Sequence, residues 1–356
     1  MGTGTDEMTA VVMHAHGGPE VLTLERVPVP VPQARDALIR VHAIGIEPGL
    51  DVNSRQNGAG HGIVLPHVLG ASFAGVVVEQ GGEGTAVLGS RVAVSAMLSC
   101  GECRYCRCGN DNLCLHRKVL GVHRWGGYAE YAIVPSRNLI RIADTTSYEV
   151  AASAPVSYGT AWRMMVTKAH VGPADLVLIM GASGAVGVAA TQIARFHGAH
   201  VILGSRRPDA LSELAEDVDA VGVIDTSGDI VAQVSALTGG GVDLVVETVG
   251  AATWSSGLAV LNTDGRLVCC GAPSGGNVSL VLRDLYRRGI SLNFSASCSF
   301  QELRIVMQLI DDGHLRPRVH ETYPLSHVQD AHRALARHQH LGKLVLIPDD
   351  NFEPMT

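Results

Sequence analysis

The sequence predicts an α/β protein in two parts: a doubly wound parallel sheet with helices on both faces, and a β-rich region ahead of it. Length argues for two parts, because 356 residues exceed the roughly 250–300 at which one core usually gives way to several. Up to about Ser147 the chain consists of short runs rich in Val, Ile, Tyr and Ala separated by turn residues. Beyond it, apolar strands alternate with helical stretches, the pattern of a parallel sheet buried on both faces.

In the first region the expected strands are Thr9 to Met13, Ala37 to Ile44, Ala74 to Glu79, Arg91 to Ser95 and Gly127 to Val134, each bounded by Gly, Pro or Asp. Ala151 to Ala169 is helical in composition, Asp175 to Met180 is an apolar strand, and Gly181 to His197 opens with glycines before continuing as a helix. Strand and helix then alternate from His200 to Cys270. The tail carries helices at Gln301 to Asp311 and around His327 to Arg337, then the strand Lys343 to Ile347.

Composition excludes several classes. With 46% apolar and 17% charged residues, the chain has too much core-forming material for wholesale disorder. A net charge of −7 and only 4% aromatics supply neither the basic footprint nor the stacking surface that nucleic acid needs. The N-terminus lacks a basic segment followed by an apolar one. The longest apolar stretch, Leu176 to Ile193, is interrupted by glycines, Ser183, Thr191 and Gln192, so no membrane span is expected. A cytoplasmic protein is expected, with its eight cysteines as thiols or metal ligands rather than disulfides.

Met180-Gly181-Ala182-Ser183-Gly184-Ala185-Val186-Gly187 follows a strand and opens a helix. Small residues there let the backbone approach a pyrophosphate, which then sits at the positive helix end, so Gly181, Ser183, Gly184, Ala185 and Val186 are expected to bind a dinucleotide. A free ribose 2′-hydroxyl is usually read by an acid at the end of the second strand. Here that position reads Leu203-Gly204-Ser205-Arg206-Arg207. A guanidinium can clamp a 2′-phosphate that a carboxylate would repel, so NADPH is expected over NADH, with Ser205, Arg206 and Arg207 as its contacts; a solvated loop is the alternative.

Cys100, Cys103, Cys106 and Cys114 follow C-x2-C-x2-C-x7-C. Four thiolates can close a tetrahedral shell around zinc and leave no position open for water or substrate, which marks a structural site. An iron–sulfur cluster is the chemical rival. Cys108 reads as a bystander, and Cys269, Cys270 and Cys298 as ordinary buried cysteines.

Taken with Pro66 to Gly70, Gly126 to Tyr131, Thr160-Ala161-Trp162, Leu267 to Gly271 and the terminal Gly342-Lys343, these motifs resemble the medium-chain dehydrogenase/reductase superfamily of zinc alcohol dehydrogenases and quinone or enoyl reductases. The resemblance implies a GroES-like catalytic domain at 1–150 bearing the zinc lobe, a Rossmann domain at 151–290, and a return to the catalytic domain at 291–356. It also implies cofactor contacts from Thr160, Thr248, Gly271 and Lys343, and a homodimer or homotetramer. Alcohol dehydrogenases of this family hold a catalytic zinc; matching its motifs places Glu47, Ala71 and Val156 at the ligand positions, and Ser72 at the glutamate of the second motif. Glu47 alone could ligate, so no catalytic zinc is expected.

Without that Lewis acid, hydride transfer to an activated C=C bond, imine or quinone is the leading expectation, with the developing oxyanion held by hydrogen bonds. An alcohol or carbonyl oxidoreductase using acid catalysis, and a low-turnover NADPH-binding sensor, are the alternatives. Candidate catalytic groups are Tyr158, Glu47, Asp51 and His61, with Thr160 orienting the cofactor. Asn53 lies near the place of a tyrosine found in several family reductases.

Overall fold

A computed structural model describes residues 7–57 and 62–349. The chain divides into two compact units, one made of residues 1–156, 299–311 and 319–356, the other of residues 157–298 and 312–318.

Along the first unit run strands β1 (Glu7–Met13), β2 (Leu22–Pro28), β3 (Asp36–Gly45), β4 (Ser72–Gln80), β5 (Arg91–Val94), β6 (Met97–Leu98), β7 (Lys118–Val119), β8 (Tyr131–Pro135) and β9 (Leu139–Arg141). The second unit supplies β10 (Leu176–Met180), β11 (His200–Ser205), β12 (Gly222–Asp225), β13 (Val242–Glu247), β14 (Leu261–Cys269) and β15 (Ser291–Phe294); β16 (Val319–Pro324) and β17 (Lys343–Ile347) return to the first.

In the first unit one sheet runs β16-β17-β3-β4-β5-β9, with β8 also on β3; hairpin β1-β2 and the short pair β6-β7 stand apart. Its core gathers Ile39, Val41, Ile44, Leu69, Phe73, Val92, Tyr128 and Leu346. Alternation along β8, with Ala132 and Val134 buried and their neighbours half-buried, is the signature of a strand with one covered face.

The second unit has the order β12-β11-β10-β13-β14-β15, all parallel. Leu178, Met180, Ile202, Val245 and Leu267 fill its core, which is why the central strands β10 and β13 are dominated by apolar residues. The order reverses between β10 and β13, and ligands of such sheets bind beyond the strand ends at that point.

The sequence expectations differ from the fold in places. Ser291–Phe294 pairs in parallel with β14, and the second unit runs on to residue 298 before the return begins. Residues 151–156, grouped with the dinucleotide domain by composition, pack in the first unit. Strands β2, β15 and β16 and the helix Leu282–Arg288 escaped the sequence reading because half their residues are polar and none shows a clean period.

Candidate active site

The glycine turn adopts its shape for identifiable steric reasons. Gly181 has φ +75°, where a side chain is strained, and a Cβ on Gly187 would lie 2.2 Å from the Gly181 carbonyl oxygen. Gly184 is the N-cap of the helix Ala185–Phe196 and offers no side-chain cap. The first-turn N–H groups therefore remain for an anion at the positive end of the helix. Thr248 donates its hydroxyl to the Met180 carbonyl at 2.7 Å, and a Cβ on Gly181 would meet that hydroxyl at 2.5 Å. A Cβ on Gly271 would stand 3.8 Å from the Thr248 carbonyl oxygen, so Gly181, Thr248 and Gly271 gather at the C-terminal ends of β10, β13 and β14.

At the end of β11 Ser205 is buried, and its hydroxyl accepts from the Arg207 N–H at 3.0 Å. Arg206 is exposed and Arg207 half-buried, with the Arg207 Nη2 lacking a hydrogen-bond partner among the described residues. Asp225, opposite Ser205 on β12, was missed by a reading that looked only along β11. Its carboxylate turns onto Ser227, accepting from the backbone N–H at 2.8 Å and from the hydroxyl at 2.5 Å, and these bonds lower its pKa. Glu247 was missed too. It is buried at the end of β13, accepting from the N–H of Val249 and Gly250 and the hydroxyl of Thr253, and shapes the loop that carries Thr248.

The four thiols converge. Their sulfurs lie within 4.8 Å of one another, with separations of 3.5 Å for Cys103–Cys106 and Cys100–Cys114 and 3.9 Å for Cys100–Cys106. Tetrahedral zinc with Zn–S near 2.3 Å requires about 3.8 Å between sulfurs, so the donor set fits. Backbone N–H groups point at the sulfurs, from Cys103 to Cys100 at 3.4 Å and from Cys100 and His116 to Cys114 at 3.3 Å. Such bonds favour thiolate; those on Cys103, led by the N–H of Cys106, bring it down to about 6.

The candidate acids of the first unit form a buried network. Glu47 is 4% exposed and Lys343 3%, and Lys343 Nζ stands 2.7 Å from Glu47 Oε1. Burial raises the Glu47 pKa, while Lys343 and then Ser72 act to lower it. Ser72 donates to the Ala152 carbonyl at 2.8 Å. Asp51 is wholly buried and accepts from the N–H of Glu47 at 2.7 Å and of Gly70 at 3.1 Å. Burial lifts Asp51 to about 7, against the pull of the Glu47 N–H.

Behind Asp51 runs a directed chain that the sequence did not disclose. Arg55 donates to His332 Nδ1 at 3.0 Å, so a neutral ring carries its proton on Nε2. That N–H donates to the Tyr128 oxygen at 2.9 Å, and the Tyr128 hydroxyl donates to Asp51 Oδ2 at 3.4 Å. Burial, then the Arg55 charge, holds His332 down at about 3.

Other expected residues fall differently. Tyr158 is 2% exposed and donates to Gln192 Oε1 at 3.1 Å, with its pKa pushed up by burial. It ties the helix Ser157–Trp162 to the helix Ala185–Phe196, the contact of a core tyrosine. Thr160 is buried in that first helix. Lys343, expected at the cofactor, stands beside Glu47. His61 lies outside the described residues.

Comparisons with known proteins agree with this architecture. The family described as alcohol dehydrogenase GroES-like domain matches residues 33–144, and the one described as zinc-binding dehydrogenase matches residues 185–312. The chain is 30% identical to a quinone oxidoreductase of Sus scrofa across 98% of this chain and all of that protein. It is also 30% identical to an NAD-dependent alcohol dehydrogenase of Sulfurisphaera tokodaii, across 92% and 96% of the two chains. A crystal structure of an NAD-dependent alcohol dehydrogenase superposes with a TM-score of 0.91 at 37% identity, covering 96% of this chain and 99% of that one. With its GroES-like unit and its parallel six-stranded sheet, the chain belongs to the medium-chain dehydrogenase/reductase superfamily of oxidoreductases.

Proposed function

We propose that the protein is an NADPH-dependent reductase acting on an activated C=C bond or a related electrophile such as an imine or quinone, with one structural zinc and no zinc at the substrate. The observation that carries this reading is the buried Glu47–Lys343 pair. By family resemblance Glu47 replaces a ligand of the catalytic zinc, and Lys343 supplies the positive charge that this carboxylate needs. Ala71 and Val156 offer no donor atom at the other two ligand positions. The quinone oxidoreductase relative supports the same direction.

A bound reduced nicotinamide supplies hydride. The uncapped first turn at Ala185 would hold the pyrophosphate, Gly181 and Gly187 admit it sterically, and Ser205, Arg206 and Arg207 would hold a 2′-phosphate. Thr248, Gly271 and Thr160 would complete the contacts. The cysteine lobe would hold zinc in a closed shell, where it stabilises the fold and takes no part in the reaction. Val281, Leu282, Tyr286 and Phe294 are exposed, Phe294 on the edge strand β15, and such exposed apolar side chains support a homodimer. Small molecules are the substrates of this reading, and the cytoplasm is its compartment.

A second reading, reversible alcohol or carbonyl oxidoreduction with acid catalysis, is favoured by the names and the 30% and 37% identities of the two NAD-dependent alcohol dehydrogenases. Loss of NADPH absorbance separates the two. Enones or quinones consumed in the presence of a chelator, with simple aldehydes left untouched, support the first. Chelator-insensitive oxidation of alcohols supports the second.

A further inference from the structure

Strand register brings Lys343 to Glu47. β17 pairs antiparallel with β3 through Val345 with Gly45 and Leu346 with Ile44, and the Ile46 N–H donates to the Leu344 carbonyl at 3.0 Å. The first residue of β17 therefore lies beside the residue that follows Ile46. Both side chains are more than nine-tenths buried.

Their contact is close but incomplete. Nζ and Oε1 meet at 2.7 Å as an ion pair, and no acceptor besides Glu47 serves Nζ among the described residues. An ammonium has three N–H donors, and a buried charge is tolerated only where its donors are satisfied. The Ser72 hydroxyl lies between the Ala152 carbonyl, to which it donates at 2.8 Å, and the Glu47 carboxylate. Ala71 and Val156 bring no side-chain acceptor. With one N–H on Glu47, what the other N–H groups of the ammonium lack is an oxygen, and the best match is one that gains negative charge.

We propose that Lys343 is a further catalytic residue, its ammonium donating to the carbonyl-type oxygen of the substrate on which negative charge develops, with Glu47 holding it in position. The inference rests on the reading of this site as one that reduces an activated C=C bond. Hydride addition at the β-carbon pushes the C=C electron pair toward the carbonyl and leaves an enolate oxygen. Lys343 holds that oxygen by N–H without giving up its proton. A proton from solvent reaches the α-carbon, and the saturated carbonyl compound leaves with the oxidised cofactor. A preorganised buried donor acts where charge appears only in the transition state.

The test uses 4-nitrophenol as an oxyanion probe on protein saturated with NADP⁺. Wild-type protein is expected to bind the phenolate and lower its apparent pKa, Lys343→Arg to keep part of that shift, and Lys343→Met to lose it. Because Lys343→Met alone strands a buried carboxylate, the pair Glu47→Gln with Lys343→Met serves as the folded control. It should melt near the wild-type temperature and bind NADPH normally, yet fail to ionise the probe and lose about 10²- to 10³-fold in kcat, the usual cost of one oxyanion donor. Ionisation of the probe as strong in the folded double variant as in wild type would overturn the proposal, as would its absence from wild type. If wild-type protein ionises the probe but reduces no enone, the substrate reading fails while the role of Lys343 as oxyanion donor stands.

Discussion

Removing one member of the Glu47–Lys343 pair leaves the other as an uncompensated buried charge, which typically costs about 3–5 kcal/mol. Lys343→Met alone should therefore lower the denaturant midpoint by that equivalent, and adding Glu47→Gln should recover most of it. Double-mutant analysis in urea measures the coupling. Asp51 carries a separate pH signature. Its folded pKa of about 7 lies above the ordinary 3.8, so between those values the folded chain binds the extra proton and stability falls as pH rises. Above about 7 this contribution is flat. His332 has the opposite sign: held at about 3 against 6.5, it withdraws stability as pH falls through that window. Urea midpoints from pH 4 to 8 should thus fall less steeply on acidification in wild type than in Asp51→Asn. A parallel offset between the two profiles would remove Asp51 as the titrating group. Glu47 and Asp51 were legible in sequence as candidate acids, but their partners were not, since Arg55 and His332 stand 277 positions apart and Lys343 was expected at the cofactor.

The glycine turn and the cysteine lobe, by contrast, are local devices, and local spacing disclosed them. A Cβ on Gly187 would meet a backbone carbonyl at 2.2 Å, so Gly187→Val should displace the helix start and abolish NADPH binding in fluorescence titration. Replacing both Arg206 and Arg207 by alanine should raise the NADPH Kd about ten- to a hundredfold, the worth of a charge-assisted hydrogen bond, and leave NADH unchanged; equal loss for both cofactors would exclude a 2′-phosphate contact. The lobe hangs on β6-β7, two residues on each side, too short a stem to hold a loop alone. Asp111 in that lobe accepts from the Phe300 N–H at 3.0 Å, at the start of the helix Phe300–Asp311. Metal removal is therefore expected to raise hydrogen exchange in residues 97–119 and in the first turn of that helix, while β10 to β14 keep their protection. Uniform deprotection would contradict a local metal clip.

At the scale of the molecule, two compact units emerge from a chain whose change of texture near Ser147 was visible in composition, yet whose second boundary was not. β15 is short and half polar, and only its pairing with β14 places it in the parallel sheet. The exposed apolar side chains give the expected oligomer a specific test: Leu282→Glu with Tyr286→Glu should shift sedimentation from dimer to monomer without altering the melting of the zinc lobe. Among the described residues no helix is long and apolar enough to cross a membrane. The family, the parallel sheet and the closed cysteine set together leave one central claim, that the metal of this protein is structural and its substrate site works without one. Zinc quantified on purified, NADPH-oxidising protein tests it most directly. The account predicts about one zinc per chain, lost when Cys103 and Cys106 are replaced by serine; two tightly held zincs, or one that survives those replacements, would contradict it.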